Sequence, residues 1–345
     1  MWRRLSARAL GAALGSVALC AASPATAQDA VHSRGTRVAA TARTGTPSDQ
    51  FNPRVGRVTN GFFYRNATLV RVNPLGLFND LRVGMRHRVF DAPALPLVLR
   101  NTYFAAGMSL ALSPAFVRPG LFVEFSPVAM VVLQASAERV QWFGTFNYLQ
   151  TFPSANANFS DAELSRRGDA NARAVGSWMF TFGGTLQARV GSLAIRTNTR
   201  AVWQEVAANG VTDPVFYDIF HDALVPNGGW MIANDTDVIA QATDLGLNVG
   251  LRFSLLAPLC GSACFPDSGG VAAQGAGASN TPITRLGPLV SYTFREARHG
   301  WFNAPTVFLL AQWWLTHRYR TGDGPESISQ GLPMIVVGFA FRGDS

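Results

Sequence analysis

A chain of 345 residues is 48% hydrophobic but only 14% charged, and its formal net charge of +8 rests on bases that are all arginine. So few charges are unusual for a water-exposed surface and usual where lipid covers the outside. Yet no segment beyond the first thirty residues reaches the ~20 apolar residues of a transmembrane helix, and bases spread among acids exclude the stripe or tail of a nucleic-acid binder.

Arg3, Arg4 and Arg8 precede an apolar, small-residue run from Ala9 to Ala22 and then Pro24-Ala25-Thr26-Ala27. This is the layout of a secretory signal with an A-x-A site, which makes 1–27 a leader cleaved after Ala27. Cys20 follows Leu19, where lipid attachment would call for a small side chain. Without the leader's three arginines, 26 bases face 21 acids. Residues 28–60 are rich in Thr and Arg and lack periodicity, so a mobile periplasmic segment is expected there, with 61–345 as the folded body.

Strand-like runs then alternate with turn-rich gaps. The first five are Asn66–Asn73, Leu81–Val89, Leu97–Ala111, Gly120–Phe125 and Met130–Tyr148, with Ser126-Pro127-Val128 as a tight turn. Trp178 to Val190 sets Trp178, Phe180, Phe182, Leu186 and Val190 on one face against Thr181, Thr185, Gln187 and Arg189 on the other. Leu245 to Leu255 alternates without a break, Leu245, Leu247, Val249, Leu251, Phe253 and Leu255 opposing Gly246, Asn248, Gly250, Arg252 and Ser254. Arg285 to Arg295 repeats the pattern. Period-two alternation of this kind separates a lipid-facing wall from a wet one. The long gaps, 150–176, 207–229, 259–282 and 321–331, are expected as extracellular loops and the short ones as periplasmic turns. About twelve strands result, an even number that returns both ends to the periplasm.

Trp142, Trp178, Trp203, Trp230, Tyr292, Trp301, Trp313 and Tyr319 lie toward strand ends, where interfacial girdles form. The last run, Met334 to Arg342, carries Ile335, Val337, Phe339 and Phe341 on one face. It resembles the terminal strand that barrel-assembly machinery reads in Gram-negative outer-membrane proteins, although Gly343-Asp344-Ser345 follow it. From Asn66 to Arg342 the chain resembles porin-like outer-membrane β-barrels as a class, and no single family. The resemblance implies an all-β, antiparallel transmembrane barrel in the outer membrane, in contact with lipid and lipopolysaccharide. A soluble two-sheet β-protein is the structural competitor.

Chemistry is sparse. Cys260 and Cys264, separated by three residues in a long gap, predict a small disulfide in an oxidising compartment. A metal site would need further ligands, and only Asp267 is near. His32, His87, His221, His299 and His317 share no metal-ligand spacing. His317 follows Trp313 and Leu315 outward by parity, but no serine on that face completes a lipid hydrolase. No catalytic residue, metal or cofactor is assigned. Parity instead gathers Arg82, Arg86, Arg88, Arg189, Arg196, Arg200, Arg252, Arg285, Arg295 and Arg318 on the wet face. An arginine-lined passage favours small anionic solutes, which makes a passive channel for small polar solutes the leading expectation. The alternative is a lumen filled by pairing with Glu124, Glu138, Glu205, Asp235 and Asp237, giving a non-conducting scaffold or surface-interaction barrel.

Overall fold

The computed structural model describes residues 60–344 apart from 91–98, 100, 207–211, 243–244, 274–281, 295–301 and 325. The expected leader, nearly all of the segment after it, and Arg295 lie outside the described residues.

Twelve antiparallel strands close into a barrel. In chain order they are β1 (Gly61–Val72), β2 (Gly76–Arg88), β3 (Tyr103–Ser113), β4 (Phe116–Val128), β5 (Val131–Trp142), β7 (Gly176–Val190), β8 (Leu193–Val206), β11 (Gly229–Ala242), β12 (Leu247–Pro258), β13 (Ile283–Thr293), β14 (Asn303–Thr316) and β15 (Met334–Asp344). Each pairs with its sequence neighbours in the ring, and β1 pairs with β15 to close it, with Tyr64 opposite Gly343 and Val70 opposite Val337. Closure removes both sheet edges, so every strand's backbone groups can be satisfied in lipid.

The outer face is apolar. Met108, Leu121, Leu133, Leu186, Ile195, Val238, Leu251, Leu309 and Val337 are all exposed, while their strand neighbours one residue away turn inward. A soluble β-protein would bury such a surface, which makes this a barrel of the transmembrane type. Trp178 stacks on Phe180, which meets Trp203, and Phe182 meets Trp230. These rings lie at the end that carries the long loops. Tyr292 with Phe294, and Phe302 with Phe339 and Phe341, form the second aromatic band at the end where β1 begins and β15 finishes.

Several expected boundaries shift. Ser126-Pro127-Val128 is not the turn but the last part of β4, and the chain reverses at Ala129-Met130. The Ser126 hydroxyl lies within hydrogen-bonding distance of the carbonyls of Val128 and Val131, and the pairing with β5 shifts between Phe125 and Val128, which accommodates a proline that cannot donate. The third strand starts at Tyr103 rather than Leu97, and the fifth ends at Trp142 rather than Tyr148. Trp142 and Trp314 point inward and are fully buried, so neither belongs to a girdle.

The long gaps are not open loops. Three short strands, β6 (Thr151–Phe152), β9 (Val215–Asp218) and β10 (Ala223–Pro226), form a separate small sheet, with helix α1 (Asp161–Asn171) beside β6 in sequence. Leu149, Phe152, Phe159, Val215, Phe216, Tyr217, Leu224 and Val225 are buried in one core with inward residues of the barrel wall. Ser160 caps α1 by accepting from the Glu163 amide. Residues 259–273 join this core through Ala155 N to Cys264 O, 2.8 Å, and Ser154 Oγ to Asp267, 2.6 Å.

Close strand approach depends on glycine at Gly287, where an added Cβ would lie 1.8 Å from the backbone oxygen of Ala311 on β14. Gly287→Ala is therefore expected to cost about 1–3 kcal/mol of barrel stability, read as a lower urea midpoint in lipid vesicles. An unchanged midpoint would show that β13 and β14 can separate freely there.

Candidate functional site: the barrel interior

Strand register sets the charged interior. On β11, Asp237 stands opposite Arg196 of β8 and Arg252 of β12, and all three side chains turn inward. Arg252 donates to Asp237 through Nε at 2.6 Å and Nη2 at 2.8 Å, and Arg196 Nη2 adds a third bond at 2.6 Å. One turn of the pleat nearer the long loops, Asp235 accepts from Arg200 at 2.9 Å and from Ser254 Oγ at 2.6 Å. Across the lumen Arg118 lies 3.7 Å from Glu138, which also accepts from Ser109, and Arg82 lies 3.8 Å from Asp80. Toward the chain ends, Arg65 and Glu124 pair at 3.2 Å, both buried, and Arg86 lies over the rings of Phe63 and Tyr103.

Above these pairs the β9–β10 turn descends into the mouth. The Phe220 ring packs against Phe78, Phe116 and Trp142, with the Arg118 guanidinium 5.5 Å from its centre. Arg71, from the wall strand β1, donates to the carbonyls of Ile219 at 2.6 Å and Phe220 at 2.7 Å. Asp222, at the end of the turn, accepts from Arg320 and from the Tyr217 hydroxyl, 2.6 Å away. Arg320 also grips Asp161 of α1 through both terminal nitrogens, tying three loops together. Burial raises the Asp222 pKa, but His317, Arg320 and the Tyr217 hydroxyl outweigh it and hold the carboxyl well below the usual carboxylate range. Burial pushes the Tyr217 hydroxyl well up, so it stays a donor.

Between the descending turn and the ion pairs lies a cavity of about 290 Å³. Six arginines line it, Arg71, Arg82, Arg118, Arg200, Arg252 and Arg285, against four carboxylates, Asp80, Glu138, Asp218 and Asp235. The Arg285 guanidinium lies over the Trp314 ring at 4.8 Å and donates to the Met334 sulfur at 3.0 Å.

Of the ten arginines singled out by parity, Arg82, Arg200, Arg252 and Arg285 line this cavity, and Arg196, Arg86 and Arg88 turn inward beside or below it. Arg189 is exposed at the end of β7, where its Nε donates to Gly191 O. Arg318 is not a wall residue: β14 stops at Thr316, and Arg318 instead holds the carbonyls of Asn156 and Ala157 within the loop core. Glu205 faces outward and fills nothing. His317 does not face lipid either. The chain bends inward after Thr316, burying His317 against Trp314 and Phe159, with Nε2 2.7 Å from the Asp222 carbonyl. Cys260 and Cys264 stand unjoined in this structure, and a short 3-10 turn brings their sulfurs within hydrogen-bonding reach of each other. Arg65 and Arg118 were missed because the sequence reading starts β1 and β4 several residues late, whereas Arg71 lies inside the first expected run and was passed over there. Among the described residues, no group of three or more His, Cys, Asp or Glu is placed to hold a metal ion.

No known protein family matches the chain, and no curated protein does. Among solved structures it is similar to the NanC porin, at 8% identity and a TM-score of 0.38 over 82% of this chain and 100% of that one. An outer-membrane channel from Pseudomonas putida F1 gives 8% identity and a TM-score of 0.41 over 87% and 99%. OccAB1 from Acinetobacter baumannii gives 9% and 0.35 over 86% and 99%. These likenesses concern barrel architecture alone.

Proposed function

We propose that the chain is an outer-membrane channel that passes small polar solutes by diffusion with a preference for anions, its long loops extracellular and both chain ends periplasmic. In this reading 1–27 is removed on export, 28–60 stays in the periplasm, β15 is read by barrel-assembly machinery, and the aromatic bands meet lipid and lipopolysaccharide. The observation that carries it is the cavity: six arginines against four carboxylates inside a barrel leave an excess of positive charge facing space. An interior that served only to fill the barrel would pair each cation it buried, because an unpaired buried charge is costly. A field of that sign draws anions in and repels cations.

The second reading is a non-conducting scaffold, favoured by the descending β9–β10 turn and the ion pairs beneath it. Planar bilayers under a salt gradient separate the two. The channel reading expects discrete conductance with a reversal potential of the sign set by chloride. Cation preference would overturn the anion reading, and silence that persists when the turn is released by Asp222→Ala would leave the scaffold.

A further inference from the structure

The cavity has two chemically different walls. Phe308 and Leu310 on β14, Met334 and Val336 on β15, and Leu69 on β1 make one side apolar, with Arg285 at its loop-facing edge. β5 lies six strands around the ring from β14, directly across, and contributes Gln134, Ser136 and Glu138. An apolar wall ending in an arginine, facing a polar wall, is the lining expected around an amphipathic anion.

Arg285 stands apart from the other arginines. Its contacts are the Trp314 ring and the Met334 sulfur, and a thioether is a weak acceptor. The neighbouring carboxylate Asp235 is already taken by Arg200 and Ser254. With the Trp314 ring on one side of the guanidinium, its N–H groups not turned to Met334 can grip a carboxylate. Arg71 adds positive charge nearby, since its register partner on β15 is Val336, two residues from Met334.

We propose that the cavity binds a small carboxylic acid with an apolar, ring-sized body, the carboxylate on Arg285 and the body against Phe308, Leu310 and Val336. The proposal rests on the channel reading for how the acid reaches the cavity. A volume of about 290 Å³ is at the low end for small-molecule sites and suits one ring rather than an oligosaccharide. Inorganic phosphate would satisfy the charge but leave the apolar wall facing water, so organic acids are favoured over it.

The test is equilibrium dialysis of the mature protein in detergent with benzoate, acetate and inorganic phosphate. Benzoate is expected to bind saturably, and acetate and phosphate at least about tenfold more weakly. Arg285→Gln removes the charge-assisted bonds and should weaken benzoate at least about tenfold. Gly338→Ala probes the apolar wall separately, because a Cβ there would meet the Phe308 ring at 2.1 Å and push it into the cavity. It should weaken benzoate while leaving Arg285 in place. Arg189→Gln, at the exposed end of β7, should change nothing. Absent saturation, equal binding by phosphate, or indifference to both Arg285→Gln and Gly338→Ala would overturn the site. Anion-selective conductance without benzoate binding removes the site and leaves the channel. Benzoate binding to a barrel that never conducts removes the channel and leaves the site.

Discussion

Asp222→Ala is expected to turn a mostly closed barrel into one that opens often. Asp222 is the point where three loops meet: its carboxylate accepts from Arg320 at 2.7 Å and from Tyr217 at 2.6 Å, while its carbonyl holds His317. Hydrogen bonds to charged partners each contribute about 1.5–3 kcal/mol, so the loss of even one should move the ratio of open to closed by about 10- to 100-fold. Arg71→Gln attacks the same turn from the barrel wall, by removing the bonds to Ile219 and Phe220, and should act in the same direction. Single-channel recordings read both as open probability. If neither variant opens more often than the parent, the turn does not control the mouth.

Acid should act on the same contact. His317 faces Asp222 and Arg320 from the loops, with Arg285 from the wall, and packs on Trp314 and Phe159. Burial is the largest influence and lowers its pKa, with Asp222 opposing, so the closed form holds His317 neutral. A group whose pKa is lower in the closed form stabilises that form fully above its free value of about 6.5. The contribution is lost as pH falls through the lowered value. Asp222 has the same sign but is lost only far below pH 4, so between pH 8 and pH 5 the histidine governs. Open probability should rise on acidification, and His317→Gln should flatten the profile. A rise that survives His317→Gln would show that His317 is not the sensor.

The barrel was legible because a lipid-facing strand leaves a period-two record that needs no knowledge of its partners. Leu247, Val249 and Leu251 read outward at a glance, and the twelve-strand count followed from such runs and the gaps between them. Strand ends were harder. Pro119, paired with Leu110 inside β4, looks like a breaker, and this hid Arg118; Asn79 and Asp80 interrupt apolar character at the start of β2. Parity continued from Glu138 would have turned Trp142 inward, as found. The loop core could not be read, since Phe159, Tyr217 and His317 come from three segments far apart in sequence, and no local period announces their meeting. His317 misled because parity holds only while the strand lasts. The descending turn, which enters the mouth of the barrel, is built from such long-range contacts.

The ion pairs below the cavity make the largest demand on stability. Asp237 is buried and serves two arginines at once through three bonds of 2.6–2.8 Å, so Asp237→Ala withdraws their shared carboxylate while leaving two cations in place. Removing one partner of a buried pair costs about 3–5 kcal/mol, a large share of the 5–15 kcal/mol that holds ordinary domains folded. The urea midpoint in lipid vesicles should fall accordingly. The double change Asp237→Ala with Arg252→Met should recover part of the loss, because it removes one uncompensated cation and substitutes apolar packing. Whatever fraction still inserts should carry a stronger anion preference than the parent, since one negative charge has left the lumen wall beneath the cavity. A variant as stable as the parent would mean that water reaches Arg196 and Arg252 and screens them. Unaltered selectivity in a folded variant would place the ion path elsewhere than past β8, β11 and β12.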